Sequence, residues 1–301
     1  MNARYRMYLC RFLGLGLALI GFGSPPVWAA GNPADSIHRQ SQKISPALAA
    51  SVPAAMAALE KKAIHLVDVR NAADFERYHI PGSLNIGLHA IRTKSFLKGK
   101  PLVLVNEGFV LGPLADGCKA LNAAGFKATI LAGGLVAWKA RGGRLVGDPF
   151  AMPDMNRVDP RDFLQESGKG RHLLIDASAG PPGKALPMFD GAGHIDLLND
   201  KQGIAKLKKA MHNEASKPFR TLLIYTADGK QDAHIQRRLV RSGVHEFFIL
   251  QGGLQACETQ LSFLRMAGRP LEERKMTTGS CSSCADRAIG SETQSTDFEE
   301  K

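Results

Sequence analysis

Cysteine and aromatic side chains are both scarce in this chain of 301 residues, which has five cysteines and 7% aromatics with two tryptophans. Cys10, Cys118, Cys257, Cys281 and Cys284 are too few and too unevenly spread to staple a fold of this length. The core must therefore come from apolar burial, for which a 44% hydrophobic content is ordinary. The lack of aromatics interleaved with basic residues excludes a nucleic-acid surface despite a formal net charge of +11, because Lys and Arg are scattered among Asp and Glu. No apolar run reaches the roughly 20 residues of a membrane span. The nearest is the acid-free stretch Phe12 to Gly23. It follows Arg4, Arg6 and Arg11 and precedes Val27-Trp28-Ala29, the pattern of an export signal cleaved after Ala29, with an uncleaved anchor as the alternative. Cleavage implies a periplasmic bacterial protein without stable membrane insertion, and it lowers the net charge to +8.

What the chain does hold is an internal repeat. Ile130-Leu131-Ala132-Gly133-Gly134-Leu135-Val136-Ala137-Trp138 returns as Ile249-Leu250-Gln251-Gly252-Gly253-Leu254-Gln255-Ala256-Cys257. Further landmarks pair in the same order: Ile44-Ser45-Pro46 with Val158-Asp159-Pro160, His65 to Asp68 with His172 to Asp176, His79-Ile80 with His194-Ile195, and Leu102 to Asn106 with Leu222 to Thr226. Short apolar runs without alternation, at Ala63 to Val69, Pro101 to Val105, Lys127 to Leu131, His172 to Asp176, Thr221 to Tyr225 and Glu246 to Leu250, read as buried parallel strands. Helical patterns alternate with them, including Leu114 to Ala124 before Gly125 and Ala233 to Ser242 before Gly243. The expectation is an α/β chain with two doubly wound domains, each a central parallel sheet with helices on both faces. They span residues 44–146 and 156–273. Residues 1–29 are the signal, 30–43 a polar leader, 147–155 a linker, and 274–301 a Ser-, Thr- and acid-rich tail expected to be disordered.

The first copy resembles the rhodanese-like family through Asp68-Val69-Arg70, Phe75, Tyr78-His79-Ile80-Pro81-Gly82-Ser83-Leu84-Asn85-Ile86 and Gly133-Gly134-Leu135-Val136-Ala137-Trp138. The second is looser, with Asp176-Ala177-Ser178, His194-Ile195-Asp196 and Cys257 in place of the Trp, so the whole resembles a tandem, two-domain sulfurtransferase. The resemblance implies that chemistry would rest on a Cys at the end of the central strand. That residue opens a loop whose amides and following helix lower the thiol pKa. Here the matching positions are Asn106 and Thr226. The loops, Asn106-Glu107-Gly108-Phe109-Val110-Leu111-Gly112-Pro113 and Thr226-Ala227-Asp228-Gly229-Lys230-Gln231-Asp232, contain no sulfur. An amide cannot accept sulfane sulfur, and a Thr hydroxyl with no base placed beside it by the sequence is a poor nucleophile. Glu107 and Asp228 add negative charge where the family has positive, offset in part by Lys230. Thiosulfate sulfurtransfer and the related phosphatase chemistry are thus not expected. Asn106, Glu107, Gly108, Thr226, Asp228, Gly229 and Lys230 remain as a candidate loop pocket.

Cys118 on its helix and Cys257 in the repeat read as buried packing residues. Cys281 and Cys284 form a CxxC in the tail, open to a local disulfide, a redox or sulfur-carrying arm, or half of a metal site. The histidines form no metal constellation. His79 and His194 are expected to hydrogen-bond their own matching turns, and His234 either faces the second loop or the solvent. Asp68 and Arg70 are expected to tie the first strand to nearby backbone. The reading that leads is an exported, non-catalytic binding or structural module without cofactor, whose partner is a protein or a small anion. The alternatives are sulfur or thiol chemistry through Cys281 and Cys284, and a metal-binding tail.

Overall fold

Two parallel five-stranded sheets organise the residues described by the computed structural model, 44–180, 186–214 and 217–267. The export signal, the leader and the tail with Cys281 and Cys284 lie outside the described residues. In the first half the elements run β1 (Ala49–Ala50), α1 (Val52–Glu60), β2 (His65–Asp68), α2 (Ala72–Arg77), β3 (Tyr78–His79), β4 (Leu84–Asn85), β5 (Leu102–Val105), α3 (Gly112–Ala123), β6 (Ala128–Leu131), α4 (Gly134–Ala140) and β7 (Val146–Gly147). In the second half they run β8 (Arg157–Val158), α5 (Pro160–Glu166), β9 (His172–Asp176), β10 (Gly193–His194), α6 (Gly203–Glu214), β11 (Thr221–Tyr225), α7 (Asp232–Arg241), β12 (Phe248–Leu250) and α8 (Gly253–Ala267). The sheet orders are β1-β6-β5-β2-β4 and β8-β12-β11-β9-β10, the same topology twice.

The apolar runs form strands because both faces of each sheet are covered. Leu66, Val103, Val105 and Leu131 point into one cluster with α1 and α4, while their neighbours Val67, Leu102, Leu104 and Ile130 point into another with α3. The second sheet repeats this: Leu223, Tyr225, Phe248 and Leu250 share the first of these clusters with α5 and α8, and Ile175, Leu222, Ile224 and Ile249 pack on α6 and α7. One continuous apolar core therefore joins the halves. Helices α3 and α7 stop before Gly125 and Gly243, at φ +85° and +75°, the left-handed exit expected from the sequence. Residues between the halves are tied down too. Gly147 pairs with Tyr78, Met152–Asp154 forms a 3-10 turn, and Ala151 and Met155 are buried.

Two of the pairings read from the repeat shift. The counterpart of Val158-Asp159-Pro160 is Ala50-Ser51 followed by Pro53, not Ile44-Ser45-Pro46. Ala50 pairs with Leu131 as Val158 pairs with Leu250, and Ser51 and Asp159 both cap the helix that follows. Likewise His194 matches Asn85, not His79. His194 lies opposite Asp176 as Asn85 lies opposite Asp68, and the amides of Ile195 and Ile86 donate to those two aspartate carbonyls. Edge strands of two residues carry too little apolar pattern to fix register from sequence.

Candidate functional site

Each sequence-predicted loop leaves the carboxyl end of a central strand, β5 or β11, and enters a helix. In both, the residue at the nucleophile position and the one after it use their carbonyls on the first amides of a helix. Asn106 and Glu107 accept from Leu135 and Val136 of α4, and Thr226 and Ala227 accept from Leu254 and Gln255 of α8. This meets helix-terminal amides that would otherwise lack partners. It also explains the paired glycines of the repeat. A Cβ on Gly134 would lie 2.4 Å from the Asn106 oxygen and the Gly108 nitrogen, and one on Gly253 would lie 2.2 Å from the Thr226 oxygen.

Asn106 is buried and turned inward on its own loop. Its Oδ1 accepts from Gly108 N–H at 2.9 Å and its Nδ2 donates to the Val110 carbonyl at 2.7 Å. Glu107 is neutralised by Arg70, whose Nη1 lies 3.2 Å from Oε1. The same guanidinium grips Asp68 and donates to the Tyr78 carbonyl at 2.6 Å, so Asp68 and Arg70 bind the strand to neighbouring backbone as expected and reach the loop as well. Desolvation raises the Glu107 carboxyl above the ordinary range, with Arg70 opposing. Past Gly108 the loop leaves its own half. Phe109, 3% exposed, stacks on His172 with ring centroids 4.6 Å apart and meets Phe248 edge-on at 5.3 Å. The Gly112 amide, at the start of α3, donates to Glu166 Oε1 at 3.1 Å, and Glu166 in turn holds Lys169 and Arg171. Burial opposes ionisation of Glu166, but those two cations outweigh it and hold the carboxyl below its usual range. Burial pushes His172 down to about 4, so its ring is neutral between Phe109 and Thr221 Oγ1, to which Nδ1 hydrogen-bonds at 2.6 Å.

The second loop is more open, but Thr226 is buried at its root. Its hydroxyl donates to Asp232 Oδ1 at 3.0 Å and accepts from Gly229 N–H at 3.0 Å. A carboxylate thus does stand beside Thr226, contrary to the reading of the sequence, because the first residue of α7 folds back over the loop. The oxygen has spent its hydrogen bonds on the loop itself, and burial raises the Asp232 carboxyl. Asp228 pairs with Lys230 at 2.6 Å, so the charges of this loop cancel locally.

Neither of the two cavities between the halves gathers the loop residues together. Glu107 lines a 440 Å³ cavity between the halves together with Phe109 and Val110, whereas Asn106 and Gly108 are enclosed by backbone. No residue of the second loop lines this cavity or the larger one beside it, and exposed His234 lines neither. The first cavity is acidic, with Asp74, Asp154, Asp159 and Asp162 beside Glu107 against Arg77 and Arg157. Cys118 and Cys257 are fully buried, and desolvation pushes their thiols up to about 11 and about 12. His79 Nδ1 donates to the Phe75 carbonyl at 2.8 Å, while His194 Nδ1 sits 3.6 Å from Asp176. Among the described residues no group of three or more His, Cys, Asp or Glu could hold a metal, and no helix is long and apolar enough to cross a membrane. The interdomain roles of Phe109, Glu166 and His172 escaped the sequence reading. The one hint was a bulky aromatic inside a Gly-flanked loop.

With this geometry in place, residues 51–141 match the rhodanese-like domain family. Solved structures to which the chain is similar include the rhodanese-like domain of an Anabaena protein, 25% identical over 33% of this chain and 79% of that one, with a TM-score of 0.29. A rhodanese-related protein from Thermoplasma volcanium is 20% identical over 33% of this chain and 96% of its own, with a TM-score of 0.29. A thiosulfate sulfurtransferase from Pseudomonas aeruginosa is 17% identical over 70% of this chain and 42% of its own, with a TM-score of 0.30. No protein of curated function matches the chain.

Proposed function

We propose that this chain is an exported tandem rhodanese-like protein whose loops transfer no sulfur and which serves as a binding or structural module. The observation that carries this is the first loop itself: it has no thiol, and Phe109 is spent as an interdomain latch against His172 and Phe248. The acidic cavity at the loop mouth supports the same reading, since it repels an anionic sulfur donor. The second half enters this reading as a divergent copy on the strength of its matching sheet order and helix-capping loop. Incubation of the full chain with thiosulfate and cyanide should give no thiocyanate above the uncatalysed rate. Turnover that disappears in Asn106→Ala or Thr226→Ala would overturn the reading. The high thiol pKa values of Cys118 and Cys257 favour one second reading, in which Cys281 and Cys284 carry any sulfur or disulfide exchange. Mass spectrometry after sulfane-sulfur exposure would show added sulfur on that pair, and an unreactive disulfide there would exclude it.

A further inference from the structure

Parallel strands that start side by side gather the residues ahead of them at one edge of the sheet. Strands β2, β5 and β6 do so, with His65 opposite Leu102 and Leu102 opposite Ala128. The segments leading into them, 60–64, 95–101 and 125–127, bring Lys61, Lys62, Lys98, Lys100 and Lys127 to this edge, and all five are exposed. The segments touch: Lys100 Nζ donates to the Lys62 carbonyl at 2.7 Å, and Lys98 Nζ lies 5.0 Å from the centre of the Phe126 ring. Exposed Glu60 is the one acid on them, and none of the five lysines has an acid partner among the described residues. Among these cations stands Phe96, 57% exposed and edge-on to His65 with ring centroids 6.0 Å apart. The same edge of the second sheet is covered. There His172, which opens β9, stacks on Phe109 of the first loop, and Glu166 accepts from the Gly112 amide. That loop leaves the carboxyl ends of the first sheet's strands, so the contact leaves the lysine edge at their amino ends exposed.

We propose that this edge docks on the surface of an anionic lipid bilayer, with the lysines against the headgroups and the Phe96 ring entering the interface. Lysines after a helix answer the negative end of its dipole, which accounts for Lys61 and Lys62 behind α1. It accounts neither for Lys98 and Lys100, on and after the 3-10 turn Ser95–Gly99, nor for an exposed ring. A cluster of like charges repels itself, and an anionic surface with an apolar interior relieves that repulsion while covering the ring. A second copy of the chain fits less well. The loop that it would offer by analogy with the first, Thr226 to Asp232, has no aromatic residue, and its Asp228 and Lys230 cancel. Docking of this kind is peripheral and independent of whether the loops transfer sulfur.

Co-sedimentation of the full chain with vesicles of phosphatidylcholine and phosphatidylglycerol in equal parts, and with vesicles of phosphatidylcholine alone, tests it. The anionic vesicles should be bound about tenfold or more tightly, with the preference falling as salt is added. Lys61→Glu combined with Lys127→Glu should weaken binding to the anionic vesicles about tenfold or more, and Phe96→Ser about fivefold. Arg237→Glu combined with Arg241→Glu, the same change of charge on exposed positions of α7, should change it by less than about twofold. Far-UV circular dichroism checks that each variant is folded, and Phe96→Ser carries the test if the lysine variant is not. The proposal is overturned by no preference for the anionic vesicles, by one that the lysine pair leaves intact, or by one that the α7 pair abolishes as fully. Binding weakened by the lysine pair and untouched by Phe96→Ser would overturn it too, and would assign the edge to an acidic polypeptide.

Discussion

An asparagine amide offers a donor and an acceptor on one short side chain, and Asn106 uses both to close its loop. A cysteine there would leave that turn to the backbone alone. Asn106→Ala should therefore destabilise the chain by about 1–3 kcal/mol, the cost of a buried amide and carbonyl left unmet, read from urea denaturation. His172 makes a prediction about pH. Its native pKa, near 4, lies below the 6.5 of an unfolded histidine, so between those values the unfolded chain binds more protons. Stability should fall as pH drops from about 6.5 toward 4 and that contribution should be flat above 6.5, with His172→Phe weakening the slope in denaturation curves taken across this window. What the sequence showed at this scale was composition: the missing thiols were plain at Asn106 and Thr226. What it hid was partnership. Phe109, Glu166 and Asp232 each act through groups that only folding brings beside them.

The central strands were legible because burial on both faces leaves a run of aliphatic residues with no alternation, and β5, β9 and β11 fall where those runs predict. The two-residue edge strands β1, β4, β8 and β10 carry no such signal, and it was at these edges that the repeat was misaligned. The glycine pairs show how an element constrains a residue. Gly134 and Gly253 have φ +57° and +61° and sit against the backbone of the loops. Gly134→Ala and Gly253→Ala should prevent native folding or lower the melting temperature sharply. Gly142→Ala is the control: its φ is +83° but a Cβ would meet nothing within 4 Å, so the cost should be about 1 kcal/mol from backbone conformation alone. Equal thermal shifts for all three would show that helix contact with the loops is not the constraint.

At the scale of the whole molecule the halves are joined by one apolar core, the Phe109 stack and the Glu166 cluster, while the Arg141 and Glu246 pair on the surface contributes little. Glu166 is fully buried and meets Lys169, Arg171 and the Gly112 amide, so Glu166→Gln weakens charge-assisted contacts that join the halves. It should cost about 1.5–3 kcal/mol and split a single unfolding transition into two, as followed by calorimetry and by proteolysis between the halves.

The central claim is that the first loop is a latch and not a disabled catalyst lacking only its sulfur. The measurement that tests it most directly is the intact mass of the Asn106→Cys variant after incubation with thiosulfate. The account predicts a folded protein with no sulfur added at Cys-substituted position 106 and no turnover with cyanide, because Phe109 and the acidic cavity remain. A stable persulfide at that position with thiocyanate production would contradict it.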